Sequence, residues 1–258
     1  MPYRDDRDID LTEVNFTRGM LAGLEQRVLL DAFSGYVSAV EGVVNDGKEA
    51  TVYRCRPKPE VGNGYLAAKM YRARKFRAFG NDARYVDPSR VRDRRLAKAI
   101  KQRSRKGRRL SHRMWIDHEW QVLNLLYESG ASVPKPYARC NEGILMELIG
   151  DGARAAPMLV HVQLTPDEAK ATFGAVLRDM EILLDCGLVH GDLSAFNILY
   201  EKGRPTIIDL PQAVEVDTVA DAWLLFYRDM ENICSYFRRQ GMILDTLDTA
   251  TRLWSRVR

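Results

Sequence analysis

The chain has 258 residues, 46% of them hydrophobic, enough for one substantial core or for two small lobes sharing a cleft. It contains no apolar run of about 18 residues, and its opening MPYRDDRDID lacks the apolar stretch of a secretion signal, so a cytoplasmic protein with no membrane contact is expected. The net charge of +4 hides an asymmetry: Arg72 to Arg113 carries 17 Lys and Arg against 3 acids, a local balance of +14, which leaves the rest of the chain acidic.

From Phe16 to Phe33 apolar residues recur at helical spacing, predicting an amphipathic helix stopped by Gly35. Val37, Val40, Val43 and Val44 then lead into the turn NDGKEA. The stretches TVYRC and YLAAKMY read as strands on either side of RPKPEVGNG, so three strands form an antiparallel meander. The basic block opens irregularly at FGNDARYVDP and is predicted helical from about Ser89 to Lys106. It reads either as a solvated, mobile loop or as a surface for the phosphates of RNA, and composition leaves both open. A second helix is predicted from Met114 to Glu128, followed by a strand pair, YARC and GILMEL, around the turn NEG. The second half is mainly helical. Thr165-Pro166-Asp167-Glu168 combines a cap, a proline at the first helical position and a glutamate three residues on, and that helix should run to about Cys186, with Gly187 ending it. Two further helices are predicted, Val219 to Arg239 and Ile243 to Trp254. A small antiparallel sheet followed by helices makes the fold class α+β. Cys55, Cys140, Cys186 and Cys234 are scattered, with no C-x-x-C pair, and read as reduced thiols rather than zinc ligands.

The chemistry concentrates in LVHGDLSAFNILYEKGRPTIID, Leu188 to Asp209. Ile198-Leu199-Tyr200 and Thr206-Ile207-Ile208 can pair across the turn Glu201 to Arg204, bringing Asn197 and Asp209 to one end. Neighbouring strands lie about 5 Å apart, so the two side chains can share an ion, and a carboxylate with an amide oxygen suits Mg²⁺, with Mn²⁺ as a substitute. Asp192 precedes Asn197 on the entering loop and can face an incoming hydroxyl. Each residue alone could simply cap a turn. Together, H-x-D-x-x-x-x-N followed by a strand, a turn, a strand and an Asp is the arrangement of kinase-like phosphotransferases, and His190, Asp192, Asn197 and Asp209 stand at those spacings.

A nucleotide site is therefore expected upstream. In the turn NDGKEATVY, backbone N–H groups of Gly47, Lys48, Glu49 and Ala50 can cover phosphates, with Val52 on the strand that follows. Lys69 lies in the third strand, as kinase lysines do, and alternation between Ala68 and Met70 leaves a solvent-facing direction open for it. Glu119 is the acid expected to pair with it and Asp117 the competing one. Met146, Glu147 and Ile149 of ILMELIG are expected to line the adenine pocket, with the backbone of Glu147 and Ile149 reading the base edge.

GKEATVY, LVHGDLSAFNILY and IIDLPQAV resemble the RIO family of atypical protein kinases and ATPases, in order and spacing, from about Val43 to Asp217. The resemblance implies a bilobal protein-kinase-like fold that stops short after the metal-binding loop, without the A-P-E segment. The expected division is a helical extension over residues 1–35, a sheet lobe over 36–149 with a basic insertion at about 73–113, and a helical lobe over 150–258. By the same resemblance Asp192 is the catalytic aspartate, Asn197 and Asp209 hold the metal, and Asp209 can itself accept the γ-phosphoryl group as an acyl-phosphate. The family's insertion can be autophosphorylated on serine, and Ser89, Ser104 and Ser111 stand in the corresponding stretch here. Partners implied by analogy are ATP, a protein acceptor or the chain itself, and RNA or a ribosomal particle through Arg72–Arg113. There are departures from the pattern. Asn45 and Asp46 precede G-K-E-A where the family usually has Ser and a small residue, Gly191 stands where alanine is commoner, and no winged-helix region is expected before the core. Two other readings stay beside it: a small-molecule phosphotransferase of the aminoglycoside or choline kinase type, which also uses HGD, and an RNA-binding pseudokinase.

Overall fold

A computed structural model of the chain describes residues 18–72, 102, 104–152, 154–255 and 257. Strands β1 (Val37–Asp46), β2 (Ala50–Pro57), β3 (Leu66–Tyr71), β4 (Pro136–Arg139) and β5 (Gly143–Glu147) form one antiparallel sheet in the order β1-β2-β3-β5-β4. The meander and the strand pair expected from sequence are thus parts of the same sheet, joined where β3 pairs with β5 and Lys69 lies opposite Ile144.

Strand alternation assigns the two faces. Leu66, Ala68 and Met70 of β3 cluster with Tyr53, Cys55, Leu145 and two residues of the N-terminal helical region, Leu29 of helix α1 (Arg18–Ala32) and Phe33 just after it. Helix α1 therefore covers this outer face, tied by a 2.6 Å hydrogen bond from the Tyr53 hydroxyl to Glu25 Oε2. Tyr71, with Ala50 and Ile144, belongs instead to the large core on the inner face. Lys69 lies between Ala67 and Tyr71 on that inner side, so alternation turns it inward.

Helix α2 (Arg105–Glu128) begins well before the expected Met114. Its first turns carry Lys and Arg, which favour helix but show no apolar stripe, so periodicity did not reveal them. The helix expected from Ser89 to Lys106 falls largely outside the described residues. Gln102 is in a turn, Ser104 is irregular, and Arg105 already opens α2. The lower half of α2 buries Trp115, Ile116, Val122, Leu123 and Leu126.

Helix α3 (Pro166–Asp185) starts with the expected capping box: Glu168 N donates to Thr165 Oγ1 (3.4 Å) and Thr165 N to Glu168 Oε2 (2.9 Å). Gly187, at φ +71°, follows its end. Short strands β6 (Leu188–Val189), β7 (Ile198–Glu201), β8 (Arg204–Ile207) and β9 (Val214–Glu215) pair as β6–β9 and β7–β8. Helices α4 (Ala222–Arg239) and α5 (Thr246–Trp254) start three residues later than expected. For α5 the reason is the cap: Asp245 accepts from Asp248 N at 3.0 Å. One continuous core runs from the inner face of the sheet and α2 through α3 and β7–β8 to α4 and α5. All four cysteines are free thiols. Among the described residues no helix is long and apolar enough to cross a membrane.

Candidate active site

The β7–β8 hairpin sets the geometry. Its register, from Ile198↔Ile207 to Glu201↔Arg204, leaves a turn of Lys202 and Gly203, both at positive φ (48° and 84°), tighter than the expected four residues. Ile208 N donates to Asn197 O at 2.9 Å, so Asn197 and Asp209 leave the hairpin at the same end. Asp209 has φ +67°, a left-handed conformation that aspartate tolerates better than most residues. The Asn197 amide donates Nδ2 to Asp192 O (2.8 Å), which makes its oxygen the atom to offer a cation and ties it to the loop bearing Asp192. Buried His190 sits behind them with Nε2 at 3.3 Å from Ile208 O, and burial lowers its pKa, favouring the neutral ring.

Lys69 joins the halves of the site. Its Nζ lies 2.7 Å from Glu119 Oε1 and 2.7 Å from Asp209 Oδ1. Burial works against the ammonium charge, but Asp209 and Glu119 outweigh it and hold the Lys69 pKa well above the ordinary value. Burial likewise opposes ionisation of Asp209, and Lys69 more than reverses this, leaving that carboxyl below its usual range. Asp117, the competing acid, pairs with Arg139 instead. The helix carrying Glu119 is also fastened to the segment after Asp209, because His118 Nε2 lies 2.7 Å from Ala213 O.

In the turn between β1 and β2, Gly47 N donates to Ala50 O at 3.1 Å and Arg72 N to Glu49 O at 2.9 Å. Asp46, the unexpected acid, accepts from Thr51 Oγ1 (3.1 Å) and from the Arg72 guanidinium, so its charge is offset beside the turn. Lys48 is exposed and Val52 half-buried. Met146 packs against the core on the Lys69 side of the sheet. Glu147 N is committed to Lys135 O (2.9 Å) and Ile149 O to Ala156 N (2.8 Å), so any base contact of this segment falls to its other backbone groups. Ser89 lies outside the described residues and Ser104 is half-buried. Ser111 is corrected: it is 2% exposed within α2, where its hydroxyl cannot meet a nucleotide.

The loop bearing Asp192 is clamped by residues that sequence reasoning missed. Asp229 of α4, 1% exposed, accepts from Gly191 N at Oδ2 (2.7 Å) and from Leu193 N at Oδ1 (3.0 Å). Asn232 Nδ2 donates to Leu193 O at 3.0 Å, and the Arg228 guanidinium donates to Gly191 O. The legible signal was a pair of polar residues three apart in FYRDMENIC, Asp229 on the apolar face of the helix and Asn232 at its exposed edge. Gly191 itself has φ +77°, and a Cβ there would lie 2.6 Å from Gln212 O. Gly191→Ala is therefore expected to destabilise the protein by about 1–3 kcal/mol and to slow turnover, measured by thermal unfolding and a nucleotide-consumption assay.

A profile of the RIO domain matches residues 51–250. The chain belongs to the RIO family. Among RIO relatives, the serine/threonine-protein kinase rio1 of Schizosaccharomyces pombe is 33% identical over 208 residues, covering 80% of this chain and 39% of its own length. The RIO-type serine/threonine-protein kinase Rio1 of Haloferax volcanii is 30% identical over 251 residues, covering 94% of this chain and 81% of itself. The first curated relatives are thus longer, and this chain spans about two-fifths of their length. The crystal structure of the Rio2 kinase from Chaetomium thermophilum, in an ADP/Mg²⁺-phosphoaspartate complex, aligns at TM-score 0.60 with 23% identity, over 92% of this chain and 67% of that one. The fold is accordingly the bilobal kinase-like α+β arrangement of RIO proteins.

Proposed function

We propose that this RIO chain is a serine/threonine kinase or ATPase that binds Mg·ATP between its sheet and its helical half and transfers the γ-phosphoryl group to a protein hydroxyl or to itself. The observation that carries this is Lys69 at 2.7 Å from both Glu119 and Asp209, which brings the sheet, α2 and the end of the β7–β8 hairpin to one point. In this reading Glu119 holds Lys69 against the α- and β-phosphates, and the turn Gly47 to Ala50 covers them. Asn197 and Asp209 supply hard oxygen ligands of the type Mg²⁺ prefers, few enough that phosphate and water complete its shell, and the ion supplies neutralisation of phosphate charge. Asp192 orients the acceptor hydroxyl, held in place by the α4 clamp.

Asp209 is also the proposed acceptor in an ATPase branch. Its carboxylate oxygen bonds to the γ-phosphorus as the bond to the β–γ bridging oxygen breaks, ADP leaves, and water later hydrolyses the acyl-phosphate. The phosphoaspartate in the Chaetomium relative supports that branch. A single turnover with γ-labelled Mg·ATP, followed by denaturation, tests both routes. Label is expected on the wild type and lost in Asp192→Ala and Asp209→Asn. Hydroxylamine lability marks an acyl-phosphate, and resistance marks a serine ester. ATP consumed with no label on the protein sends the phosphoryl group to a separate acceptor.

The basic stretch Arg72–Arg113 is proposed to bind RNA, supported by its charge of +14. Replacing Arg103, Arg105, Arg108 and Arg109 with Ala is expected to weaken RNA binding and flatten its salt dependence, the slope falling by about 0.7–0.9 for each phosphate no longer neutralised. An unchanged slope would mean that these arginines do not touch the RNA backbone.

A further inference from the structure

Tyr71 stands two residues beyond Lys69, on the same face of β3, and is 6% exposed. Its hydroxyl donates to Glu119 Oε2, while Lys69 donates to Oε1 of the same carboxylate (2.7 Å). The Lys69 ammonium also lies 5.2 Å from the centre of the Tyr71 ring. The ring is braced in turn by Trp115, edge-on at 4.9 Å between centroids, and by His112 at 6.5 Å, both one or two turns before Glu119 on α2. Each oxygen of a carboxylate that is 4% exposed thus has its own donor.

A carboxylate held at one oxygen can swing about that point, whereas two donors from different directions fix its plane. The aromatic packing alone would position a phenylalanine equally well. The hydroxyl adds a bond to Oε2 that a phenylalanine cannot make, so its role is separable from packing.

Building on the nucleotide reading above, we propose that Tyr71 is a positioning residue for phosphoryl transfer: its hydroxyl locks the Glu119 carboxylate so that Lys69 is presented to the phosphates in one orientation. Tyr71 touches neither phosphate nor acceptor and acts through Glu119. The lock joins a strand and a helix far apart in sequence, beside the Arg139–Asp117 pair that ties β4 to the same helix. It also gives the site a means of remaining aligned when nucleotide draws Lys69 away from Asp209.

The test is a double-mutant cycle on the single-turnover rate, using full-length wild type, Tyr71→Phe, Glu119→Gln and the double variant, with thermal midpoints alongside. Tyr71→Phe is expected to slow transfer about tenfold, the loss appropriate to one hydrogen bond to a charged group. In the Glu119→Gln background the same substitution is expected to cost less than about twofold, because the carboxylate it locks is gone. Trp115→Phe, which loosens the packing without touching the carboxylate, should stay within about twofold of wild type once its midpoint is matched by temperature. Wild-type speed in Tyr71→Phe, or an undiminished loss in the Glu119→Gln background, overturns the proposal. If Tyr71→Phe falls in midpoint and Trp115→Phe slows transfer equally, the effect is packing and the proposal is also overturned. A wild type that transfers no phosphoryl group instead removes the nucleotide reading, which is a separate result.

Discussion

Lys69→Met is expected to cut the rate of phosphoryl transfer by about 100- to 1,000-fold, because under the proposed function the variant loses the cation that meets the phosphates. It is also expected to destabilise the fold by about 3 kcal/mol, because removing one member of a buried ion pair leaves its partner uncompensated. Glu119 carries most of that penalty: it is 4% exposed, whereas Asp209 is 37% exposed and can recover water. The double variant Lys69→Met with Glu119→Gln should therefore regain most of the lost stability and none of the activity. Urea unfolding and single-turnover labelling on the same preparations check this. A Lys69→Met protein as stable as wild type would mean that the pair contributes nothing to folding. A Lys69→Met protein as active as wild type would place the nucleotide elsewhere.

Asp229→Ala should be the second large effect, although Asp229 lies behind the loop rather than in the cleft. Two buried N–H groups, of Gly191 and Leu193, lose their acceptor, at about 1–3 kcal/mol each, and the loop that aims Asp192 loses its anchor. Turnover is expected to fall about 100-fold or more, since a displacement of about 1 Å at a reacting group is that costly. The pH behaviour gives an independent reading. Burial pushes the Asp229 carboxyl up to about 7, against the pull of the two N–H groups and Arg228. The folded state then holds this proton more tightly than the unfolded chain, so the group's contribution is greatest below its unfolded pKa and is lost as pH rises through about 7. Wild type should lose stability between about pH 4 and about pH 7 relative to Asp229→Asn, which has no proton to release there. Equal slopes for the two proteins would show that Asp229 stays ionised throughout that range.

Much of the site was legible in the order of residues alone. The hairpin and the capping box at Thr165 are local, each decided by a few neighbouring side chains; the capping box formed where expected, and the hairpin formed with a turn of Lys202 and Gly203 in place of the expected Glu201 to Arg204. The beginning of α2 was not legible, because Arg and Lys carry helix propensity without the apolar rhythm that marks a helix in sequence. Ser111 looked like an accessible acceptor among arginines and proved buried, since burial depends on what α2 packs against rather than on adjacent charges.

By itself the sequence determined the order and spacing of His190, Asp192, Asn197 and Asp209, because one loop and one hairpin hold all four within a short span of chain. It also determined the turn before β2, whereas the inward face of β3, and with it the direction of Lys69, was decided by which side α1 covers. Only the tertiary structure decided which acid meets Lys69. Asp117 and Glu119 are two apart on a helix, about 200° around its axis, so one face takes Arg139 and the other takes Lys69. The clamp by Asp229 and the lock by Tyr71 were likewise decided only by packing. In each, a carboxylate buried away from water had to find its donors, and those donors lie far along the chain.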